Sequence, residues 1–147
     1  MKFTTKNLEE TQKIAQDFIS EIKPSDKTAT VIGLYGDLGA GKTSFTQGVA
    51  LGLGITETVA SPTFVIEKNY KLNTNHQSLF TSLIHIDAYR LEKSDELLHL
   101  GWREIISNPK NLILIEWPER VADIMPKHIR VNLNHISENG REIEVLD

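Results

Sequence analysis

The chain has 147 residues, of which 39% are hydrophobic and 24% are charged. A length close to that of one average domain, with ordinary glycine and proline contents, excludes collagen-like, low-complexity and largely disordered chains. The sequence contains no cysteine, which excludes a disulfide framework and a thiolate metal site. We therefore expect a single domain that covers residues 1–147.

The net charge is −4, because 16 Lys and Arg residues face 20 Asp and Glu residues. An acidic chain binds a nucleic-acid backbone poorly by itself, so we expect a partner to hold any nucleic acid. The N-terminus lacks the apolar segment of a signal peptide, and no apolar run approaches the roughly 18 residues of a membrane span. These features predict a cytoplasmic protein without a membrane partner.

The first half of the chain predicts a helix, a strand and a second helix. Asn7 is a candidate helix cap, and apolar residues at helical spacing predict a helix over 8–22 that ends before Pro24. β-branched and apolar residues predict a strand over 28–35. A glycine-rich loop follows, and it leads into a helix predicted over 42–53.

The middle of the chain predicts extended structure. A turn is expected at Ser61–Pro62, followed by an extended segment that begins at Phe64. The polar residues 73–78 are typical of a hairpin tip. A second apolar strand is predicted over 83–89.

The last third of the chain completes an alternating pattern of helices and strands. A helix is predicted over 95–106, with a break or kink at Gly101, and a strand follows over 111–116. Two final strands, over 129–136 and 142–146, are joined at a turn signal. The fold class is therefore α/β, with a mostly parallel sheet, helices on both faces and antiparallel C-terminal strands.

A phosphate-binding loop is the most informative local motif. Residues 36–43, GDLGAGKT, satisfy the pattern GxxxxGK[ST] in full. Glycines let successive backbone N–H groups turn into one concavity, and the following helix adds the partial positive charge of its N-terminus. Lys42 can reach the β- and γ-phosphates of a nucleotide, and Thr43 can offer its hydroxyl to Mg²⁺.

Two acidic residues are candidates for handling the metal and the attacking water. Asp87 and Glu116 each follow an apolar predicted strand, and ligands of such sheets bind at the carboxyl ends of the strands. One carboxylate could contact the metal, directly or through water, while the other orients the attacking water. The spacing leaves open which acid takes which role.

Four segments, in this order, closely resemble the TsaE (YjeE) family of bacterial ATPases of tRNA threonylcarbamoyladenosine biosynthesis. The resemblance spans nearly the whole chain, and the last three segments are more specific than the P-loop. The segments are GDLGAGKTSF at 36–45, SPTF at 61–64, HIDAYRL at 85–91 and LIEWPE at 114–119.

The resemblance implies a single P-loop NTPase-like domain and slow, Mg²⁺-dependent ATP hydrolysis. It also implies TsaD and TsaB as partners, which install threonylcarbamoyl on adenosine 37 of tRNAs that read codons beginning with adenosine. The chain would support turnover of the TsaD–TsaB complex and would meet tRNA indirectly, through that complex. An alternative is a nucleotide-gated binding module whose hydrolysis only resets docking.

The resemblance also implies roles for individual residues. It implies Lys42, Asp87 and Glu116 as catalytic residues, with Thr43 and Glu116 as magnesium ligands. It implies that Ser61 and Thr63 belong to a loop that senses the nucleotide state. The nucleotide contacts that it implies are Thr11, Asp37, Leu38, Gly39, Ala40, Gly41, Lys42, Thr43, Ser44 and Arg141.

Several other residues allow two interpretations. Trp117 is either a core aromatic or a stacking residue at the site, and Arg90 either braces a carboxylate or neutralises phosphate charge. Trp102 is predicted to lie in the core, and His85 is predicted to be a packed or hydrogen-bonded strand residue rather than a base. The spacing of the histidines predicts no zinc site.

Overall fold

The computed structural model describes residues 1–37, 39–55, 57, 67–72 and 79–146. The strands are β1 (Lys2–Thr5), β2 (Thr30–Tyr35), β3 (Glu67–Lys71), β4 (Ser82–Asp87), β5 (Asn111–Glu116), β6 (Ile129–His135) and β7 (Arg141–Leu146). The helices are α1 (Leu8–Ser20), α2 (Lys42–Gly52), α3 (Ser94–His99), α4 (Trp102–Ile106) and a 3₁₀ helix, Pro118–Ile124. In this part of the chain, no helix combines the length and the apolarity needed to cross a bilayer.

The described strands form one sheet in the order β1-β7-β6-β2-β5-β4-β3. Its centre is parallel, because β2 pairs in parallel with β5 and β6, and β4 pairs in parallel with β5. The edges are antiparallel, with β1 on β7, β7 on β6 and β3 on β4. The predicted α/β class and the antiparallel C-terminal strands are therefore confirmed, whereas β1 was not predicted.

The central strand β5 is buried along its whole length. Leu112 and Leu114 belong to a cluster that includes α1 and α2 side chains, whereas Ile113 and Ile115 belong to a second cluster with α3 and α4 side chains. Successive side chains of a strand point to opposite faces, so helices cover both faces of the sheet, as predicted. The same alternation explains why this strand reads as a continuous apolar run.

Helix α1 begins at the predicted cap. The Asn7 side chain accepts the N–H of Glu10 at 2.8 Å, and the Glu10 carboxylate accepts the N–H of Lys6 at 2.7 Å. The helix then packs closely against α2 at Gly48, where a Cβ atom would lie 2.3 Å from the Gln12 carbonyl oxygen. This contact fixes α2, and with it the P-loop, relative to the N-terminal segment.

Two breaks in regular structure shape the other face. The predicted helix over 95–106 is broken at Gly101, whose φ of 85° is in the left-handed region. The 3₁₀ helix was not predicted; it follows Trp117, a non-glycine residue with a φ of 58°. The turn predicted at 61–62 and the hairpin tip predicted at 73–78 lie outside the described residues.

Candidate functional site

A cleft of about 340 Å³ lies where the P-loop enters α2, beside the carboxyl ends of β4 and β5. Five predicted loop residues line it: Gly39, Gly41, Lys42, Thr43 and Ser44. Three predicted residues from distant parts of the chain line it as well: Asp87, Glu116 and Arg141. The fold therefore brings most of the predicted site residues into one cavity.

Four predicted residues lie elsewhere or are not described. Thr11 is fully buried, and its hydroxyl lies 2.8 Å from that of Thr5, away from the cleft lining. Asp37 is exposed, and its carbonyl accepts the N–H of the buried Ala40 at 3.1 Å; neither residue lines the cleft. Leu38 lies outside the described residues. Contact with a nucleotide stays a prediction for these positions, as it does for the residues that line the cleft.

Glycines are sterically required at both ends of the P-loop. Gly36 has a φ of 153°, and a Cβ atom there would lie 2.5 Å from the Leu133 carbonyl oxygen in β6. Gly41 has a φ of 99°, and a Cβ atom there would lie 3.3 Å from the Arg141 side chain. The N-terminus of α2 faces the cleft, since its N-cap, Gly41, and its first residues line it. Gly41 has no side chain to cap the backbone N–H groups at this end of the helix.

The Lys42 ammonium lies at the wall of the cleft. It donates a hydrogen bond to the Gly36 carbonyl oxygen at 2.7 Å and lies 3.7 Å from the centre of the Trp117 ring. Burial lowers the pKa of Lys42, while the carboxylates of Glu116 and Asp87 raise it. The site therefore holds a largely desolvated cation, which interacts strongly with anions.

Asp87 and Glu116 end neighbouring parallel strands and are paired in register. The Asp87 carboxylate accepts the N–H of Tyr89 at 3.0 Å. Burial raises the pKa of Asp87, the Tyr89 N–H lowers it, and the nearby Glu116 charge raises it further. The two carboxylates thus share one end of the sheet with the Lys42 ammonium.

The Glu116 carboxylate is hydrogen-bonded to a histidine of the neighbouring strand β4. Its Oε2 lies 2.8 Å from Nε2 of His85, and the two side chains are only 4% and 0% exposed. His85 is therefore both packed and hydrogen-bonded, as predicted. A signal in the sequence is its position two residues before Asp87, which places both side chains on the same face of β4.

Aromatic side chains line the mouth of the cleft. The rings of Trp117 and Tyr89 lie 5.0 Å apart, and Trp117 also packs against the core cluster under α4. Trp117 is therefore partly buried against the core and also lines the cleft, while its role as a stacking or partner-facing residue stays a prediction. The sequence pattern did not identify Tyr89 or the exposed Leu8 as lining residues; the position of Tyr89 in HIDAYRL was the available signal.

Trp102 was predicted to lie in the core, whereas the interpretation of Arg90 was left open. Trp102 is 1% exposed, which confirms its prediction as a core residue. Arg90 is exposed and forms no ion pair with any residue of the described ranges. The bracing role considered for Arg90 is thus not seen in this part of the chain.

Arg141 is anchored beside the P-loop by backbone groups. Its Nη1 donates to the carbonyl oxygens of Ser137, Glu138 and Gly140 at 3.2, 3.3 and 2.8 Å. Its Nε is buried and has no hydrogen-bond partner among the described residues. A guanidinium that three backbone carbonyls hold beside the cleft adds positive charge there, which suits an anionic ligand.

The donor atoms of the cleft fit a hard divalent cation. Thr43 supplies a hydroxyl, and Asp87 and Glu116 supply carboxylate oxygens, which are the ligands that Mg²⁺ prefers. In phosphate sites, Mg²⁺ is usually held by one or two carboxylates together with substrate phosphates.

Comparison with known sequences identifies relatives over nearly the whole chain. The family described as "Threonylcarbamoyl adenosine biosynthesis protein TsaE" matches residues 5–143. The tRNA threonylcarbamoyladenosine biosynthesis protein TsaE of Bacillus subtilis is 39% identical over 144 residues, which are 97% of this chain and 83% of the relative. The TsaE protein of Rickettsia felis is 37% identical over 142 residues, which cover 95% and 76% of the two chains.

A solved structure shares the fold. The crystal structure of Bacillus subtilis YdiB matches with a TM-score of 0.74 and 33% sequence identity. The match covers 97% of this chain and 82% of that chain. The fold of this chain is therefore one already observed by crystallography.

Proposed function

The chain belongs to the TsaE family, and on that premise we propose that it is a Mg²⁺-dependent ATPase of tRNA modification. The modification is threonylcarbamoylation of adenosine 37 in tRNAs that read codons beginning with adenosine. The observation that carries the proposal is the cleft that unites Lys42, Thr43, Asp87 and Glu116. We place the activity in the cytoplasm, where a tRNA substrate is found.

The P-loop side of the cleft binds the triphosphate in this proposal. Loop amides and the N-terminus of α2 donate hydrogen bonds to phosphate oxygens, and the desolvated Lys42 ammonium supplies the charge. Arg141 lines the same cleft and adds positive charge there. Thr43 and Glu116 would hold Mg²⁺, which when bound neutralises charge on the phosphate oxygens.

The acidic side of the cleft orients the water. Asp87 is partly buried, and its raised pKa makes its carboxylate a better hydrogen-bond acceptor than an ordinary aspartate. It holds the water in line with the γ-phosphate while Glu116 stays on the metal side. The water oxygen bonds to the γ-phosphorus, the bond to the β–γ bridging oxygen breaks, and ADP and phosphate leave.

We expect TsaD and TsaB to be the partners of this chain. The net charge of −4 disfavours direct binding of the tRNA backbone, so the partners hold the tRNA. Hydrolysis by the isolated chain is slow and rises when TsaD, TsaB and tRNA are present. A partner commonly supplies groups that complete a P-loop site.

A second candidate function is a nucleotide-gated docking module. One observation favours it: Tyr89, at 40% exposure, contacts Trp117, whose ring in turn lies against Lys42. A change at the phosphates can therefore reach an exposed aromatic surface through two contacts. In this case Asp87→Asn preserves ATP-dependent docking to TsaD–TsaB and blocks release, whereas equal loss of docking and hydrolysis argues against it.

Reconstitution tests the proposed function. Purified TsaD, TsaB, tRNA and the threonylcarbamoyl donor are combined with the wild type, Lys42→Ala or the matched control Lys13→Ala. Lys13 is exposed and pairs with Asp17 on the surface, so its removal leaves activity unchanged. We expect Lys42→Ala to abolish multiple turnovers of tRNA modification; wild-type turnover by this variant would overturn the proposal.

A further inference from the structure

His85 lies one layer below the carboxylates of the cleft. In the register of β4 and β5, Asp87 pairs with Glu116 and His85 pairs with Leu114. The imidazole therefore reaches Glu116 diagonally across the two strands, at 2.8 Å between Nε2 and Oε2. Neither side chain has appreciable contact with solvent.

The hydrogen bond determines which ring nitrogen carries the proton. An ionised carboxylate can only accept, so Nε2 of His85 must be the donor to Glu116. Nδ1 is buried and has no partner among the described residues. In a neutral ring protonated at Nε2, Nδ1 carries only an unsatisfied lone pair. A ring protonated at Nδ1 would instead leave a buried N–H without an acceptor.

Packing alone does not account for an imidazole at this position. A leucine side chain would fill a similar volume without leaving a buried polar atom unsatisfied. Within the described residues, the one polar contact that offsets the burial of His85 is the bond to Glu116. The hydrogen-bonding capacity of the imidazole therefore acts on the Glu116 carboxylate.

The orientation of the Glu116 carboxylate matters because a cation lies close by. The charges of Glu116 and Lys42 attract each other. A closer pair would leave less of the ammonium's charge for phosphate. A donor fixed below Oε2 limits the rotation of the carboxylate about its last side-chain bond.

We propose that His85 is a positioning residue, which orients the Glu116 carboxylate for the metal side of a bound Mg·ATP. This inference rests on the proposed function. His85 touches neither nucleotide nor metal and acts through Glu116. Partners that orient metal-binding groups typically contribute roughly 10- to 100-fold to metal affinity or activity.

Calorimetry of a non-hydrolysable ATP analogue, in excess Mg²⁺ and in EDTA, tests the proposal. His85→Leu removes the donor, while His85→Gln keeps an N–H close to the position of Nε2. The measured quantity is the factor by which Mg²⁺ raises the affinity for the analogue. We expect this factor to be roughly 10-fold smaller in His85→Leu than in the wild type, while the affinity in EDTA is unchanged. We expect His85→Gln to recover most of that gain.

Two results would overturn the positioning role while leaving the proposed function intact. One is an equal Mg²⁺-dependent gain in His85→Leu and in the wild type. The other is an equal loss in Mg²⁺ and in EDTA that His85→Gln does not restore, since a packing defect affects both conditions. A wild type that fails to bind the analogue would instead contradict the proposed function.

A double-mutant cycle covers the case in which His85→Leu does not fold. The effect of His85→Asn on the Mg²⁺-dependent gain is measured in the wild-type and Glu116→Gln backgrounds. Positioning through Glu116 predicts that the effect disappears in the Glu116→Gln background. Additive effects of the two substitutions would overturn the proposal.

Discussion

Asp87 and Glu116 occupy paired positions at the ends of β4 and β5, so the register of the sheet brings two carboxylates to the same wall of the cleft. Burial raises the pKa of Asp87, and the neighbouring Glu116 charge adds to that effect. Like charges in such proximity are tolerated because Lys42 faces both. A bound cation would relieve the same repulsion.

Neutral variants of the two acids should separate binding from chemistry. We expect Asp87→Asn and Glu116→Gln each to lower kcat for ATP hydrolysis by roughly 100-fold. In EDTA both variants should bind ATP as well as the wild type or better, because a carboxylate repels phosphate. In Mg²⁺, a larger loss of affinity for Glu116→Gln identifies Glu116 as the direct metal ligand, and a larger loss for Asp87→Asn would contradict that assignment.

Trp117 should report nucleotide binding through its fluorescence. The Lys42 ammonium lies 3.7 Å from the centre of the Trp117 ring, so a ligand that attracts the ammonium changes the surroundings of the indole. The other tryptophan, Trp102, is buried in the core away from the cleft lining. We expect a saturable change in emission with Mg·ATP in the wild type and none in Trp117→Phe. An unaltered response in Trp117→Phe would contradict this assignment.

The packing of α1 on α2 predicts that alanine substitutions at two glycines of α2 lower the stability of the fold by different amounts. A Cβ atom at Gly48 would lie 2.3 Å from the Gln12 carbonyl oxygen, which is part of the backbone. At Gly52 the nearest atom, also at 2.3 Å, is Cγ2 of the Ile19 side chain, and the nearest backbone atom is the Gln16 carbonyl oxygen at 3.2 Å. We expect Gly48→Ala to lower the free energy of unfolding by about 1–3 kcal/mol and Gly52→Ala to lower it less.

Urea denaturation checks this order. Alanine has a higher helix propensity than glycine, by about 1 kcal/mol, so the variants would be stabilised if the clashes were absent. A Gly48→Ala protein at least as stable as the wild type would therefore contradict the close approach of the two helices.

The half-buried carboxyl of Glu67 predicts a pH dependence of stability. Burial raises the pKa of Glu67, and its Oε1 has no hydrogen-bond partner among the described residues. The folded state then binds the proton more tightly than the unfolded state, so this group destabilises the fold as the pH rises through the raised pKa. We expect Glu67→Gln to raise the free energy of unfolding by about 1 kcal/mol at neutral pH.

Thermal and urea unfolding of Glu67→Gln at several pH values provide the measurement. The gain should shrink as the pH falls and should vanish below the unfolded-state pKa of about 4.3. Glu138→Gln, at an exposed carboxyl, is the control and should show no such trend. A gain that is the same at every pH would show that ionisation of Glu67 is not its cause.

The sequence predicted the parts of the site that depend on local patterns. The P-loop is one contiguous motif, and β5 is a continuous apolar run that ends in Glu116. Because parallel strands end at a common edge, the strand pattern by itself leads one to expect the two acids near the loop. The break at Gly101 was predictable for a similar reason, since glycine readily adopts a positive φ.

Other features depend on contacts that no local pattern encodes. The strand β1 has four residues and is fixed by pairing with β7 at the opposite end of the chain. The left-handed conformation of Trp117 is rare for a non-glycine residue and gives no signal in the sequence. The bond between His85 and Glu116 follows from the register of β4 and β5, which no pattern in the sequence specifies.

Calorimetric titration of Mg·ATP into the purified wild type and Lys42→Ala is the most direct test of the account. We expect saturable binding at one site in the wild type and an affinity roughly 10- to 100-fold lower in Lys42→Ala, because a hydrogen bond to a charged group contributes about 1.5–3 kcal/mol. Lys13→Ala should bind as the wild type does. Absence of binding by the wild type, alone and with TsaD and TsaB, or equal affinity in Lys42→Ala, would contradict the central claim.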